Sequence, residues 1–284
     1  MPRALVPRRR TTAVLVAALA AATLSSAQEA PLRILVTNDD GYQSPGLAAL
    51  VAELAPLGEV VVSAPDGNRS GSSHSISLAE PLEVREVQIE GASRAVAVNG
   101  SPAAAASFGI LALGAERPFD LLVSGINRGG NVGHVAHYSG TVGAAMEGAY
   151  RGVPAIAVSQ DSAATDFGRA AAVTARIVRA LSPTGLSPGV VLNVNVPRAA
   201  TERSAPVVVA RMGGSHIEQA GWLRLSTRDD VSLWRIDLRR AETAPAGTDT
   251  AAYLDGKISV APLRFDWTDT SLLPQLEERL EGVD

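Results

Sequence analysis

Residues 32–46 read LRILVTNDDGYQSPG, and this stretch decides the fold of the chain. A short, largely apolar run up to Val36 stops abruptly at Thr37, which predicts a buried strand. Asp39 and Asp40 follow almost at once. Ligands of open α/β sheets bind outside the carboxyl ends of the strands, so we expect both acids to face a binding site and not the core.

The residues of this segment allow two interpretations of the paired acids. Adjacent carboxylates repel each other, and a hard divalent cation such as Mg²⁺ or Mn²⁺ relieves that repulsion by binding their oxygens. The alternative is a surface turn, because Asp and Gly are common turn residues. Polar clusters after three further predicted strands favour the metal site.

The order of the predicted elements indicates the fold class. A helix over 45–57 separates the first strand from an apolar strand over 59–64, and strand, helix, strand units with buried runs imply parallel pairing. Further strands are predicted at 119–124, 155–159 and 190–196, with helices at 102–114, 142–150 and 167–181. We therefore predict a doubly wound, Rossmann-like α/β core over about 31–197 with a mostly parallel sheet.

The polar clusters at the strand ends are candidate binding loops. Residues 65–73 are rich in Gly and hydroxyl side chains, a composition that can supply amides and hydroxyls to an anion or a metal. Ser139, Gly140 and Thr141 begin the helix that follows the Gly- and Asn-rich loop 125–133. They either cap that helix or hold a phosphate at its amino end, and the sequence leaves both possibilities open.

The remainder of the chain, about 198–284, differs in character. Short alternating runs predict hairpins, and a strand over 258–262 and a helix over 272–280 follow. We expect this extension to mediate the contacts of a homodimer or homotetramer. Its three tryptophans are predicted to be packing residues, namely Trp222, Trp234 and Trp267.

The amino terminus is predicted to be a secretory signal over residues 1–27, which leaves one mature domain over 28–284. Four arginines precede an apolar stretch, and small residues at 25–27 suit signal-peptidase cleavage. The apolar stretch over 13–24 is shorter than the roughly 20 residues of a membrane span. We expect export to the periplasm or the medium, without membrane attachment after cleavage; an uncleaved anchor and twin-arginine export are the alternatives.

Charge and composition exclude some partners and sites. Removal of residues 1–27 changes the formal net charge from −4 to −8, and no basic stripe with interleaved aromatics is present. A nucleic-acid partner is therefore not expected, whereas a mononucleotide is compatible with this charge. The chain has no Cys, so disulfides and thiolate metal sites are excluded.

Six strings of the chain resemble, in order, those of the SurE family of metal-dependent 5′-nucleotidases. They are ILVTNDDG at 34–41, APDGNRSG at 64–71, VSGINRGGNVG at 123–133, YSGTVGAAMEG at 138–148, LNVNVP at 192–197 and TDTAAYLDGKISVAPL at 248–263. The resemblance implies a divalent-metal-dependent phosphomonoesterase that converts nucleoside 5′-monophosphates to nucleoside and phosphate.

The resemblance also implies site residues. The metal ligands carried over by motif are Asp39, Asp40, Ser70 and Asn127, with one Mg²⁺ or Mn²⁺ per subunit. All four supply oxygen atoms, as a hard cation requires. Asp39, Asp40 and Asn127 are the implied catalytic residues. Phosphoryl transfer chiefly requires charge neutralisation and in-line positioning, and we expect residues 139–141 to hold the phosphate.

Three departures from the family pattern motivate an alternative function. Gly67 replaces a longer side chain, and Ala104 and Val135 stand where acids are common. The alternative is an exported nucleotide- or phosphate-binding module without catalysis. A nicotinamide-dependent oxidoreductase is disfavoured, because it would place a glycine fingerprint after the first strand, where this chain has two acids.

Overall fold

The structure is a computed structural model that describes residues 31–181 and 187–283. The predicted signal peptide, 1–27, lies outside the described residues, and its cleavage stays a prediction. Within the part that is described, no helix is both long and apolar enough to cross a bilayer.

The described residues form eleven strands and seven α-helices. The strands are β1 Leu32–Thr37, β2 Gly58–Pro65, β3 Glu83–Val87, β4 Arg94–Asn99, β5 Leu121–Arg128, β6 Ala155–Gln160, β7 Val190–Val196, β8 Val207–Val209, β9 Ile217–Arg228, β10 Val231–Arg240 and β11 Ile258–Arg264. The helices are α1 Pro45–Leu54, α2 Pro102–Phe108, α3 Gly140–Tyr150, α4 Gly168–Ala180, α5 Arg198–Glu202, α6 Asp249–Leu254 and α7 Leu273–Leu280. Nine strands share one mixed, mostly parallel sheet in the order β3-β4-β2-β1-β5-β6-β7-β11-β8.

Helices cover both faces of this sheet, as the doubly wound prediction requires. Ile34 and Val36 of β1 pack in one core cluster with α1 and α4, whereas Leu35 packs on the opposite face with α2 and α3. All three side chains are 0% exposed. Burial on both faces explains why the strand reads as a nearly continuous apolar run and does not alternate with polar residues.

The direction in which successive strands are added to the sheet changes at β1. From β1 the chain continues to β2 on one side and later returns to β5 on the other, and both neighbours are parallel to β1. A crevice opens outside the carboxyl ends of the strands at such a switch point. Asp39 and Asp40 follow β1, and Asn127 lies near the end of β5, so the fold brings three of the sequence-predicted residues to this crevice.

The sheet continues into the segment that follows Pro197. β11 pairs antiparallel with β7, and β8 pairs parallel with β11. β8 is one of the short alternating runs that were predicted to form hairpins, and it belongs instead to the main sheet. The reason is burial: Ile258 and Ala261 of β11 are 0% exposed and complete the core beside β7. β9 and β10 form the separate antiparallel hairpin that the alternating pattern predicted.

The tryptophans of the extension are not packing residues within the described chain. Trp222, Trp234 and Trp267 are 63%, 52% and 81% exposed, so that prediction is wrong. The first two lie on the hairpin, which pairs only with itself. A two-stranded ribbon has no second layer to cover its faces, and its apolar side chains therefore remain at the surface.

Candidate metal centre

The turn after β1 fixes the backbone that carries both acids. Asn38 Nδ2 donates to the Gly41 carbonyl at 2.9 Å and to Ser44 Oγ at 2.8 Å, and Gly41 N donates to Asn38 Oδ1 at 3.1 Å. Ser44 also caps α1. The turn is therefore tied to the start of the next helix, and Asp39 and Asp40 lie between two rigid elements.

Asp39 is buried against the first turn of α3 and is only 3% exposed. Its Oδ1 accepts a hydrogen bond from Thr141 Oγ1 at 2.6 Å, and its carbonyl accepts one from Arg69 N at 2.7 Å. A Cβ at Gly140 would lie 2.9 Å from the Asp39 Cβ. Glycine at this position therefore lets the helix approach the acid closely.

Asp40 is half-buried and has two donors. Its Oδ2 accepts from Arg128 N at 3.1 Å, and its Oδ1 accepts from Asn68 Nδ2 at 3.2 Å. The Asn68 Oδ1 in turn accepts from Ser70 N at 3.1 Å. Through Asn68 the exposed loop that carries Ser70 is attached to the acid pair, which brings the fourth sequence-predicted ligand to the same crevice.

Asn127 is oriented by an irregularity in β5. The pairing of β5 with β6 shifts register between Ser124 and Asn127. At Gly125, with φ at +145°, a Cβ would lie 2.5 Å from the Val158 carbonyl oxygen, so only glycine fits. The Asn127 Nδ2 donates to the Gly129 carbonyl at 2.6 Å. This bond orients the side-chain amide, whose Oδ1 is the atom that can act as a ligand.

The electrostatics of the acid pair suit a cation. Burial, with a contribution from the charge of Asp40, raises the pKa of Asp39 to about 6, although the hydrogen bond from Thr141 opposes the rise. Burial also raises the pKa of Asp40, against the effects of Arg128. Two carboxylates that are costly to ionise together are stabilised as anions when a cation binds both.

The donor set fits a hard divalent ion. Across residues 31–181 and 187–283, no three His, Cys, Asp or Glu side chains form a cluster that could hold a metal. A cation at this site would therefore rely on Asp39, Asp40, Asn127 and Ser70. Carboxylate, amide and hydroxyl oxygens are ligands of Mg²⁺ and Mn²⁺, whereas Zn²⁺ sites favour His and Cys.

A cleft open to solvent lies beside Asp40, whereas Asp39, Ser70 and Asn127 are not among the residues that line it. Its volume is about 470 Å³, and its lining includes Asp40, Gly41, Gly67 and Arg128. A Cβ at Gly67 would have no atom within 4 Å, so the small residue leaves the cleft open. The other two departures, Ala104 and Val135, are not among the residues that line it.

The residues predicted to hold phosphate already have protein partners. Ser139 caps α3, because its Oγ accepts from Val142 N at 3.1 Å. Thr141 donates to Asp39. Ser139 Oγ keeps its own hydrogen to donate, and the amino end of α3 lies beside Asp39, so phosphate binding there stays a prediction.

Tertiary contacts define roles that the motifs did not indicate. Thr141 orients Asp39 although the two are 102 positions apart, and no spacing rule could have joined them. His74 is hydrogen-bonded through Nε2 to Glu147 Oε2 at 2.8 Å. Arg151 Nε donates to the other oxygen of Glu147 at 2.6 Å. His74 therefore anchors its loop to α3.

Comparisons with known proteins agree with this architecture. The family model described as "Survival protein SurE" matches residues 34–219. A protein of Chloroflexus aggregans described as "5'-nucleotidase SurE" is 41% identical over 246 residues, which are 86% of this chain and 97% of the relative. A protein of Rhodopirellula baltica with the same description is 38% identical over 252 residues, 87% of this chain and 98% of its own.

A solved structure shares the fold. The crystal structure of the SurE protein from Aquifex aeolicus superposes with a TM-score of 0.76 at 35% identity, and the match covers 87% of this chain and 99% of that one. The range matched by the family model contains all four candidate ligands.

Proposed function

Because this chain belongs to the SurE family, we propose that it is a 5′-nucleotidase that hydrolyses nucleoside 5′-monophosphates to nucleoside and phosphate. The observation that carries the proposal is the pair Asp39 and Asp40 at the switch point of the sheet, in a chain about 40% identical to proteins described by that activity. The open cleft beside Asp40 supplies a route for the substrate.

One Mg²⁺ or Mn²⁺ per subunit is proposed, held by Asp39, Asp40, Ser70 and Asn127. When bound, such an ion polarises phosphoryl oxygens and lowers the pKa of a coordinated water. The protein's contribution is orientation. Thr141 holds the Asp39 carboxylate, and the Arg128 amide and Asn68 hold that of Asp40. Fixed ligands do not have to reorganise during the reaction, which lowers its barrier.

The proposed reaction adds water across the P–O5′ bond. The water oxygen bonds to phosphorus, the bond to the 5′ oxygen breaks, and one proton of the water ends on the leaving oxygen. Asp39 or Asp40 orients or deprotonates the water. Residues 139–141 hold the phosphate at the amino end of α3, where backbone N–H groups and the helix dipole favour an anion.

The experiment that tests the function is phosphate release from a panel of nucleoside monophosphates. We expect release with Mg²⁺ or Mn²⁺, a fall to background with a chelator, and recovery when the metal is restored. The reason is that the two carboxylates repel the anionic phosphate of the substrate unless a cation neutralises them. Retention of nucleotide without turnover under every metal condition would instead indicate the binding module.

Replacement of Ser139 by alanine tests the phosphate assignment. Loss of the cap is expected to lower the free energy of unfolding by about 1 kcal/mol. Loss of the hydroxyl donor is expected to raise KM for the nucleotide by about fivefold, within the range of one hydrogen bond. Urea unfolding and steady-state kinetics measure the two effects, and Ser139→Thr is the matched control. An unchanged KM in the alanine variant would restrict Ser139 to capping.

Export is proposed from the amino-terminal sequence. Arginines followed by an apolar stretch and small residues support a signal over 1–27 and a scavenging role in the periplasm or the medium. Amino-terminal sequencing of the protein from fractionated cells tests this proposal: a cytoplasmic protein that retains Met1 contradicts it.

A homodimer or homotetramer is proposed from the exposed hairpin. Apolar side chains of β9 and β10 lie at the surface, with Trp222, Leu225 and Leu233 between 56% and 63% exposed. Clusters of this kind mark protein interfaces. Light scattering measures the assembly, and a monomer at micromolar concentration would contradict the proposal.

A further inference from the structure

Arg128 occupies a position that the motifs did not single out. It is the last residue of β5, directly after Asn127, and it lines the same cleft as Asp40. Its backbone N–H donates to Asp40 Oδ2 at 3.1 Å. Arg128 therefore lies next to the acid pair and is one of the residues that line the cleft beside it.

Most of the hydrogen-bond donors of the Arg128 guanidinium have no partner within the described residues. Its Nε donates to the Ser162 carbonyl at 3.3 Å, and within the described residues its two Nη atoms have no hydrogen-bond partner and it forms no ion pair. By contrast, Arg69 in the neighbouring loop is held by Asp66 and Asn99, each at 3.0 Å. Arg128 is thus a cation beside the site with donors available for a ligand.

The charge of the site favours such a donor. A divalent cation neutralises the two carboxylates of Asp39 and Asp40, which leaves no net charge to balance a phosphate monoester dianion. A guanidinium presents paired N–H groups that match two oxygens of a phosphate.

We propose that Arg128 binds the phosphate group of the substrate, holding the monoester in the cleft beside Asp40. This inference rests on the proposed function, which supplies the identity of the substrate. The group that Arg128 binds is the phosphate itself, either in the ester or in the inorganic product. Arg128 therefore binds the phosphate together with residues 139–141 at the start of α3.

The test compares Arg128→Gln and Arg128→Lys with the wild-type protein. Calorimetry with inorganic phosphate in the presence of Mn²⁺ measures anion binding, and steady-state hydrolysis measures kcat and KM. Arg128→Gln is expected to weaken phosphate binding by about 10- to 100-fold and to raise KM, because charge-assisted hydrogen bonds are lost. Arg128→Lys is expected to recover part of both.

Two controls separate phosphate binding from a structural role. Arg198→Gln removes an exposed arginine whose ion pair is with Glu202 on α5, and it is expected to change neither quantity. The affinity for Mn²⁺ is expected to stay within about twofold in every Arg128 variant, because the backbone N–H that holds Asp40 is retained.

The outcomes distinguish this inference from the proposed function. Phosphate affinity and KM of Arg128→Gln within twofold of wild type overturn the inference, and so does a parallel loss of Mn²⁺ affinity. If the wild-type protein hydrolyses no nucleotide, the proposed function fails. A loss of inorganic phosphate binding in Arg128→Gln would even then support Arg128 as a phosphate ligand.

Discussion

Replacement of Asp40 by asparagine is expected to reduce phosphate release from nucleoside monophosphates by about a thousandfold or more. The Asp40 carboxylate oxygens accept hydrogen bonds from Arg128 N and Asn68 Nδ2. An amide of the same size removes one negative charge and turns one oxygen into a donor, which can neither accept from an N–H nor bind a cation.

The fold is expected to survive this substitution. Asp40 lies after the end of β1 and outside the core clusters, so the thermal midpoint should change little. Kinetics over a range of Mn²⁺ concentrations measure the loss. Asp255→Asn is the matched control, since Asp255 pairs with Lys257 at the surface. Metal-dependent activity close to that of the control would show that Asp40 is not a ligand.

The second large effect is on stability, and it depends on pH. Burial raises the pKa of Asp39 from its ordinary value of 3.8 to about 6. Between these values the folded protein binds more protons than the unfolded chain, so the free energy of unfolding falls as pH rises. At about 1.4 kcal/mol per pKa unit, the metal-free protein should lose about 2 to 3 kcal/mol between pH 4 and pH 7 through this group.

Asparagine at position 39 isolates this contribution. It can still accept the hydrogen bond from Thr141 but cannot ionise, so the variant should lack this part of the pH dependence and be the more stable protein at pH 7 without metal. Mg²⁺ should stabilise the wild type increasingly as pH rises and the variant much less. Urea unfolding at several pH values, with and without chelator, measures both. Equal pH dependence in the two proteins would contradict the assignment.

Apolar runs in the sequence were sufficient to predict most elements of the core. β7 was predicted with the bounds that the structure shows, Val190–Val196. The strand predicted to end at Ser124 instead continues to Arg128. Three of its last four residues are Gly125, Asn127 and Arg128, which do not favour strands, so their strand conformation comes from pairing with neighbouring strands and not from their own preference.

The segment after β7 shows where local pattern is insufficient. A period of two identifies a strand but does not identify its partner, and the burial of β11 beside β7 became visible only in the sheet. The sequence likewise did not show that the faces of β9 and β10 are exposed, because the pattern of apolar residues in a strand does not indicate whether a second layer covers them.

The sequence supplied the candidate chemistry of the site, since the acid pair follows a predicted strand and the resemblance to the SurE family adds Ser70 and Asn127 to a proposed set of oxygen ligands. Their mutual arrangement was decided by the tertiary structure. The contact of Asp39 with Thr141 and that of Asp40 with the Arg128 backbone depend on elements that become neighbours only when the sheet assembles. Contacts between distant positions leave no local pattern, and for that physical reason they were found only in the folded chain.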